Sequence, residues 1–115
     1  MSAKRVELLQ GTLDLLILRT LLPGKEHGHA IAKHIQRTSG DLLQVETGSL
    51  YPALHRLEAK GWIAPSLELS EKGKRARFYR LTPRGRKQLA AERSKWEHFS
   101  RAIGLVLNLA DEEAS

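Results

Sequence analysis

Apolar residues recur at helical spacing along the first half of the chain and alternate at strand spacing further on. Residues 11–22 are apolar on more than one stripe, which predicts a first helix that buries two faces. One face belongs to the domain core, and the other needs a second partner such as another subunit. Residues 27–38 predict a shorter second helix, with Ile31 and Ile35 turned inward and Lys33 turned outward.

The stretch from residue 47 to residue 61 predicts the helix around which the chain is organised. Leu50, Leu54 and Leu57 recur at i, i+4 and i+7 and therefore lie on one stripe. Thr47 suits the N-cap, and Gly61 suits the position that ends the helix. The opposite face carries Gly48, Ser49, Pro52, His55, Arg56 and Ala59. A face that is small at its start and then offers donors suits a DNA major groove, although an ordinary amphipathic helix shares the pattern.

A two-stranded ribbon with a basic loop is predicted after Gly61. Residues 63–69 and 77–81 are short strand-like runs, and Gly73 lies in the loop between them. Alternation places Tyr79 and Leu81 on one side of the second strand. Three helices followed by such a ribbon predict a mainly α fold with a small β-ribbon (α+β), in the order of a winged helix-turn-helix.

A long last helix is predicted from Thr82, as N-cap, and Pro83 to about Leu109. This helix is too long to be covered by the rest of so small a domain, so we expect it to pair with a second copy of the chain. The domains predicted are residues 1–82, a DNA-binding winged helix-turn-helix, and residues 83–115, a dimerisation helix with an acidic tail. The residues expected at the dimer interface are Leu15, Leu18, Leu89, Trp96, Phe99, Ile103 and Val106.

Composition narrows the classes of function. A chain of 115 residues has the length of a single domain. The absence of cysteine excludes disulfides, thiolate metal sites and cysteine nucleophiles. The N-terminus lacks a signal-peptide pattern and the longest apolar run is too short for a bilayer, so we expect a cytoplasmic protein. The net charge is +6, and eight of the 19 basic residues fall within residues 70–87. A clustered basic patch favours a polyanionic partner such as double-stranded DNA.

Two spaced motifs resemble the PadR family of bacterial transcription regulators. They read Gly48-x-Leu50-Tyr51-Pro52-x-Leu54-x-x-Leu57-Glu58-x-x-Gly61 and Tyr79-x-Leu81-Thr82-x-x-Gly85. The resemblance covers residues 11–85, and the single C-terminal helix is similar to the short subfamily. It implies a homodimeric winged helix, usually a repressor, whose long last helix packs against its partner. It also implies release from a pseudo-palindromic operator by a small aromatic or phenolic molecule.

Candidate DNA-binding residues lie on the central helix, on the preceding helix and in the ribbon: Thr47, Gly48, Ser49, Tyr51, Pro52, His55, Arg56, Lys33, Lys72, Lys74, Arg75 and Arg77. We expect Arg56 to reach a phosphate or a guanine edge, with His55 and Ser49 adding hydrogen bonds. In the alternative interpretation, Tyr51 and Pro52 mainly shape the start of the helix. A dimer that neutralises about eight phosphates should bind with a log-log salt slope near −7.

Trp96 is the candidate ligand-binding residue. If a two-fold axis passes near it, two indoles could clamp a flat aromatic effector, or they could simply fill the dimer core. The spacing of His27, His29 and His34 does not place all three on one helical face, so no metal and no cofactor are expected. A metal-sensing repressor and a protein-binding winged helix are the alternatives. No catalytic constellation is present, so an enzyme is not expected.

Overall fold

The computed structural model describes residues 11–114, with side chains described as far as Asn108, and the predictions for residues 1–10 and for the acidic side chains at 111–113 lie outside it. Within that range the elements are α1 (Thr12–Thr20), β1 (Glu26–His27), α2 (Gly28–Thr38), α3 (Thr47–Ala59), β2 (Ile63–Leu69), β3 (Arg75–Leu81) and α4 (Pro83–Ala114). Helices and a small antiparallel sheet in this order confirm the predicted fold class.

The core lies where the first three helices meet the sheet and the start of α4. Leu50, Leu54 and Leu57 are buried, as their spacing predicts, and Ile17 on α1 has no exposed surface. α1 packs against α2, α3 and α4, so it is the central element of the domain. Because α1 contacts the three other helices, its position fixes where their exposed surfaces lie.

Two residues expected at the dimer interface belong to this core. Leu18 has no exposed surface and Leu89 is 5 % exposed within the single chain. Both side chains contribute to the core of the single chain, and their place in a dimer interface stays a prediction. Heptad spacing marks which positions are buried, but it does not distinguish the chain's own core from a partner.

The sheet has three strands in the order β1-β3-β2, one more than the sequence pattern predicts. β1 pairs antiparallel with β3, with Glu26 opposite Tyr79 and His27 opposite Phe78. β2 and β3 form the predicted ribbon, and Gly73 takes a positive φ of 76° in its loop. Tyr79 and Leu81 are buried, as the alternation predicts.

α3 begins one residue earlier than expected. Glu46 occupies the N-cap, and its carbonyl oxygen accepts hydrogen bonds from the N–H groups of Ser49 and Leu50, each at 2.9 Å. Thr47 is therefore the first helical residue rather than the cap. Gly61 ends the helix with φ 75°, and the N–H of Trp62 donates to the Leu57 carbonyl over 3.0 Å, completing a Schellman motif.

α4 starts at the cap expected from the sequence. The Thr82 hydroxyl accepts a hydrogen bond from the N–H of Gly85 (3.0 Å) and donates to the Gly61 carbonyl (2.7 Å), which ties α4 to the end of α3. The helix has 32 residues and continues to Ala114, so the backbone of the expected acidic tail is helical. No helix in the described range combines the length and apolar character needed to cross a membrane.

Candidate nucleic-acid interface

The outward face of α3 is exposed and carries mostly small side chains. Thr47, Gly48, Ser49, Pro52 and His55 are all exposed. A side chain added at Gly48 would meet no atom within 4 Å. This face therefore offers small hydroxyls and one imidazole to a partner, without bulk in front of them.

Tyr51 connects this face to α2. Its ring lies against Gly28, where an added Cβ would be 3.3 Å from both the ring carbon Cε1 and the hydroxyl oxygen. The ring is still 42 % exposed. Tyr51 therefore sets the distance between the two helices of the helix-turn-helix while keeping one edge at the surface. Lys33, on the outer face of α2, is exposed as well.

Arg56 is turned only partly outward, because it pairs with Asp14, and its contact with DNA stays a prediction. Its Nη2 atom lies 2.9 Å from Oδ1 of Asp14 on α1, and the two side chains are 38 % and 15 % exposed. Arg56 thus lies on the flank of α3 that faces α1. Sequence periodicity missed this pair, because its two residues are 42 positions apart.

The ribbon divides its basic residues between the tip and the base. Lys72, Lys74 and Arg75 are exposed, and the part of the chain that the structure describes provides no ion pair for them. Arg77 instead donates to Glu58 on α3 over 2.9 Å, and this hydrogen bond raises the pKa of Arg77. Arg77 therefore braces the ribbon against α3, and the tip carries the free positive charge.

A second brace, between Lys25 and Glu68, holds the ribbon from the loop before β1. The Lys25 ammonium donates to the Glu68 carboxylate, and this bond, helped by one from Ser66, lowers the pKa of Glu68. On β2, Leu67 and Leu69 are 65 % and 68 % exposed. Their cross-strand partners are Arg77 and Arg75, so the outer ribbon combines leucine and arginine side chains.

A tyrosine titration tests the packing at the base of the ribbon. Tyr79 is 3 % exposed, and burial raises its pKa above the ordinary value of 10.0. In a Tyr51→Phe variant Tyr79 is the remaining tyrosine, so the 295 nm phenolate absorbance should rise only above pH 10. The stability that the neutral phenol contributes is complete below its unfolded pKa and is lost as the pH rises through the folded pKa. The control is the same variant unfolded in denaturant, in which Tyr79 should titrate at about pH 10. If Tyr79 of the folded variant titrated at the same pH, the buried packing of its ring would be contradicted.

Trp96 borders an open groove between the start of α1 and α4. The groove encloses about 440 Å³ and is lined by Gly11, Thr12, Leu15, Glu92, Lys95, Trp96 and Phe99. The Trp96 and Phe99 ring centroids are 6.3 Å apart, and the indole is 46 % exposed. The groove can therefore present an aromatic wall to a flat ligand or to another protein surface.

The histidines have structural contacts of their own. The His27 Nδ1 atom accepts a hydrogen bond from the Ala30 N–H over 3.2 Å and so caps α2. Its ring also meets Phe78 edge-on at 5.6 Å between centroids. Within the residues that the structure describes, no three histidine, aspartate or glutamate side chains are grouped to hold a metal ion.

The helix-turn-helix, the basic ribbon beside it and the open face of α3 define a winged-helix protein of the DNA-binding type. The Transcriptional regulator PadR-like family matches residues 17–91. The chain belongs to this family, and it is a transcriptional regulator rather than an enzyme.

Individual relatives agree with the family match. The transcriptional regulator Rv3488 of Mycobacterium tuberculosis is 32 % identical over 97 residues, which are 84 % of this chain and 87 % of the relative. A transcriptional regulator from Clostridium thermocellum is 33 % identical with a TM-score of 0.75, over 83 % of this chain and 92 % of that one. A PadR family regulator from Clostridium difficile is 28 % identical with a TM-score of 0.73, over 83 % and 97 %.

Proposed function

We propose that the chain is a homodimeric repressor that binds an operator through α3 and the ribbon and leaves it when a small aromatic ligand binds. The observation that carries this proposal is the exposed face of α3 together with the ribbon that Arg77 holds against α3, whose tip is positively charged. Gly48, Ser49 and His55 face outward, while Lys72 and Lys74 extend at the end of β2 and β3. Small residues and donors suit the major groove, and free cations suit the flanking phosphates. DNA as a partner also favours a cytoplasmic location.

The dimer is supported by the apolar side chains of α4. The exposed large apolar residues of this helix are Trp96, Phe99, Ile103, Leu105, Val106 and Leu107. Trp96, Phe99, Ile103, Val106 and Leu107 fall on one side of the helix, and an exposed apolar surface of this kind marks an interaction site in soluble proteins. A second copy of α4 would cover this surface and would place two α3 helices on one duplex.

The ligand is assigned to the groove beside Trp96. The indole and Phe99 provide aromatic surface, and Leu15 of α1 faces them across the groove. Offset stacking on an indole favours a flat aromatic molecule. Because α1 also contacts α3, a ligand that displaces α1 would disturb the DNA-binding face.

The test is fluorescence anisotropy with labelled duplexes that tile the region upstream of the protein's own gene, beside a scrambled duplex, at several salt concentrations. We expect tighter binding to one upstream duplex, with a log-log salt slope near −7. Changing Lys72, Lys74 and Arg75 to glutamine should flatten the slope by about 0.9 for each phosphate that the variant no longer neutralises.

The control for this test changes Arg93, Lys95 and Arg101 to glutamine, which removes the same charge from α4 outside the basic cluster at residues 70–87. It should leave the slope nearly unchanged. Equal flattening by both triple variants would show that only the total charge matters. If the wild-type chain bound no duplex even at low salt, the repressor proposal would fail and the ribbon would be a protein-binding surface.

A further inference from the structure

The pair between Asp14 and Arg56 joins the most central helix of the domain to the helix that faces DNA. Asp14 stands in the first turn of α1, and Arg56 stands in the last turn of α3. The Asp14 side chain is only 15 % exposed, whereas the Arg56 side chain is 38 % exposed. A pair that is partly withdrawn from water holds its geometry better than a solvent-exposed one.

The surroundings of α1 make it a fixed reference for this pair. Leu13 and Ile17, on either side of Asp14, are buried in the core. α3 is held at its end by the Schellman turn at Gly61. On its exposed face, His55 directly precedes Arg56 and Pro52 lies one turn earlier. Rotation of α3 about its own axis is opposed by its buried leucines, by the Arg77–Glu58 pair to the ribbon and, on the side of α1, by the bond to Asp14.

We infer that Asp14 is a positioning residue: by holding Arg56 it sets the rotation of α3 on α1 and so the aim of Ser49 and His55 at DNA. This inference rests on the proposed function, because it assigns Asp14 a part in sequence discrimination. Asp14 itself faces α3 and does not reach the outward surface. The alternative role for Asp14 would be to mask Arg56 as a phosphate-binding residue. In that case, removing the Asp14 carboxylate would strengthen binding to DNA.

The test compares Asp14→Asn with Glu97→Gln, since both remove one carboxylate and raise the net charge by the same amount. Glu97 pairs with Arg93 on the exposed surface of α4, far along the helix from α3. General electrostatics predicts that both variants bind DNA slightly more tightly. We expect Asp14→Asn instead to lose about tenfold in affinity for the upstream duplex, a size typical of broken contacting pairs. Binding to the scrambled duplex should stay within about twofold.

Further variants distinguish a loss of positioning from a loss of folding. Arg56→Gln changes the more exposed partner and should cause the same loss, and the double variant should lose no more than either single one. Asp14→Glu keeps the carboxylate and should retain most of the discrimination. Additive losses in the double variant, or tighter binding of both duplexes by Asp14→Asn, would overturn the inference.

Amide hydrogen exchange without DNA separates this inference from the proposed function. Asp14→Asn should speed exchange in α3 by about fivefold relative to Glu97→Gln, because local opening of the helix becomes easier. Unchanged exchange would overturn the inference even if the protein binds its operator. A wild-type chain that does not distinguish the duplexes would overturn the proposed function, while the exchange result would still decide whether Asp14 holds α3.

Discussion

Replacing Gly85 by alanine is expected to lower the free energy of unfolding by about 3 kcal/mol, at the upper end of what overpacking costs. The added Cβ would lie 2.0 Å from the Trp62 carbonyl oxygen and 2.8 Å from Leu81 Cδ1. The first contact is with backbone and cannot be relieved by a rotamer change. The Trp62 oxygen also accepts a hydrogen bond from the Thr82 N–H over 3.1 Å, so moving it would break the start of α4. Thermal and urea unfolding, followed by circular dichroism at fixed protein concentration, measure the loss.

Gly48→Ala is the matched control, because Gly48 also lies in the first turn of a helix. No atom lies within 4 Å of its Cβ position, and alanine is the better helix former. We expect its stability to be unchanged or raised by less than about 1 kcal/mol. Similar midpoints for the two variants would contradict the close contact between α4 and the turn after α3.

The sequence predicts most of the fold because its apolar spacing reports burial directly. Leu50, Leu54 and Leu57 are buried where their period places them, and the cap at Thr82 is found where hydroxyl and proline chemistry favour it. β1 escaped prediction since two residues, Glu26 and His27, are too few to show an alternation. The shift of the α3 cap from Thr47 to Glu46 is a matter of one residue, within the usual uncertainty of helix ends.

The candidate site is less predictable, because it depends on contacts between distant parts of the chain. Helical periodicity places Arg56 away from the leucine stripe, but only the folded structure brings Asp14 of α1 to it. Arg77 likewise resembles the neighbouring ribbon cations in sequence, whereas Glu58 holds it at the ribbon base. The assignments that remain proposals concern exposed residues such as His55 and Lys74, whose partners lie outside this chain.

Replacing Ile103 by glutamate is expected to convert the proposed dimer to monomers at micromolar concentration. Ile103 is 45 % exposed and lies on the same stripe of α4 as Trp96 and Phe99, so pairing with a second copy would bury it. A carboxylate placed there would lose its water without gaining a partner, which opposes association. Analytical ultracentrifugation should show the monomer mass, 12.9 kDa for this chain, instead of twice that value.

The same substitution should weaken binding to a two-half-site duplex by roughly 100-fold, because the two α3 helices would no longer be joined. Binding to a single half-site should change little, since α3 and the ribbon are intact.

His98→Glu is the control: it adds the same charge on an exposed residue off the apolar stripe, and it should leave the dimer and its DNA affinity unaltered. Unchanged mass of the Ile103 variant would show that the exposed residues of α4 do not form the interface. If a monomeric variant bound DNA with unchanged affinity, a single chain would be enough to bind the operator. The proposal of a dimeric repressor would then be replaced by that of a monomeric one.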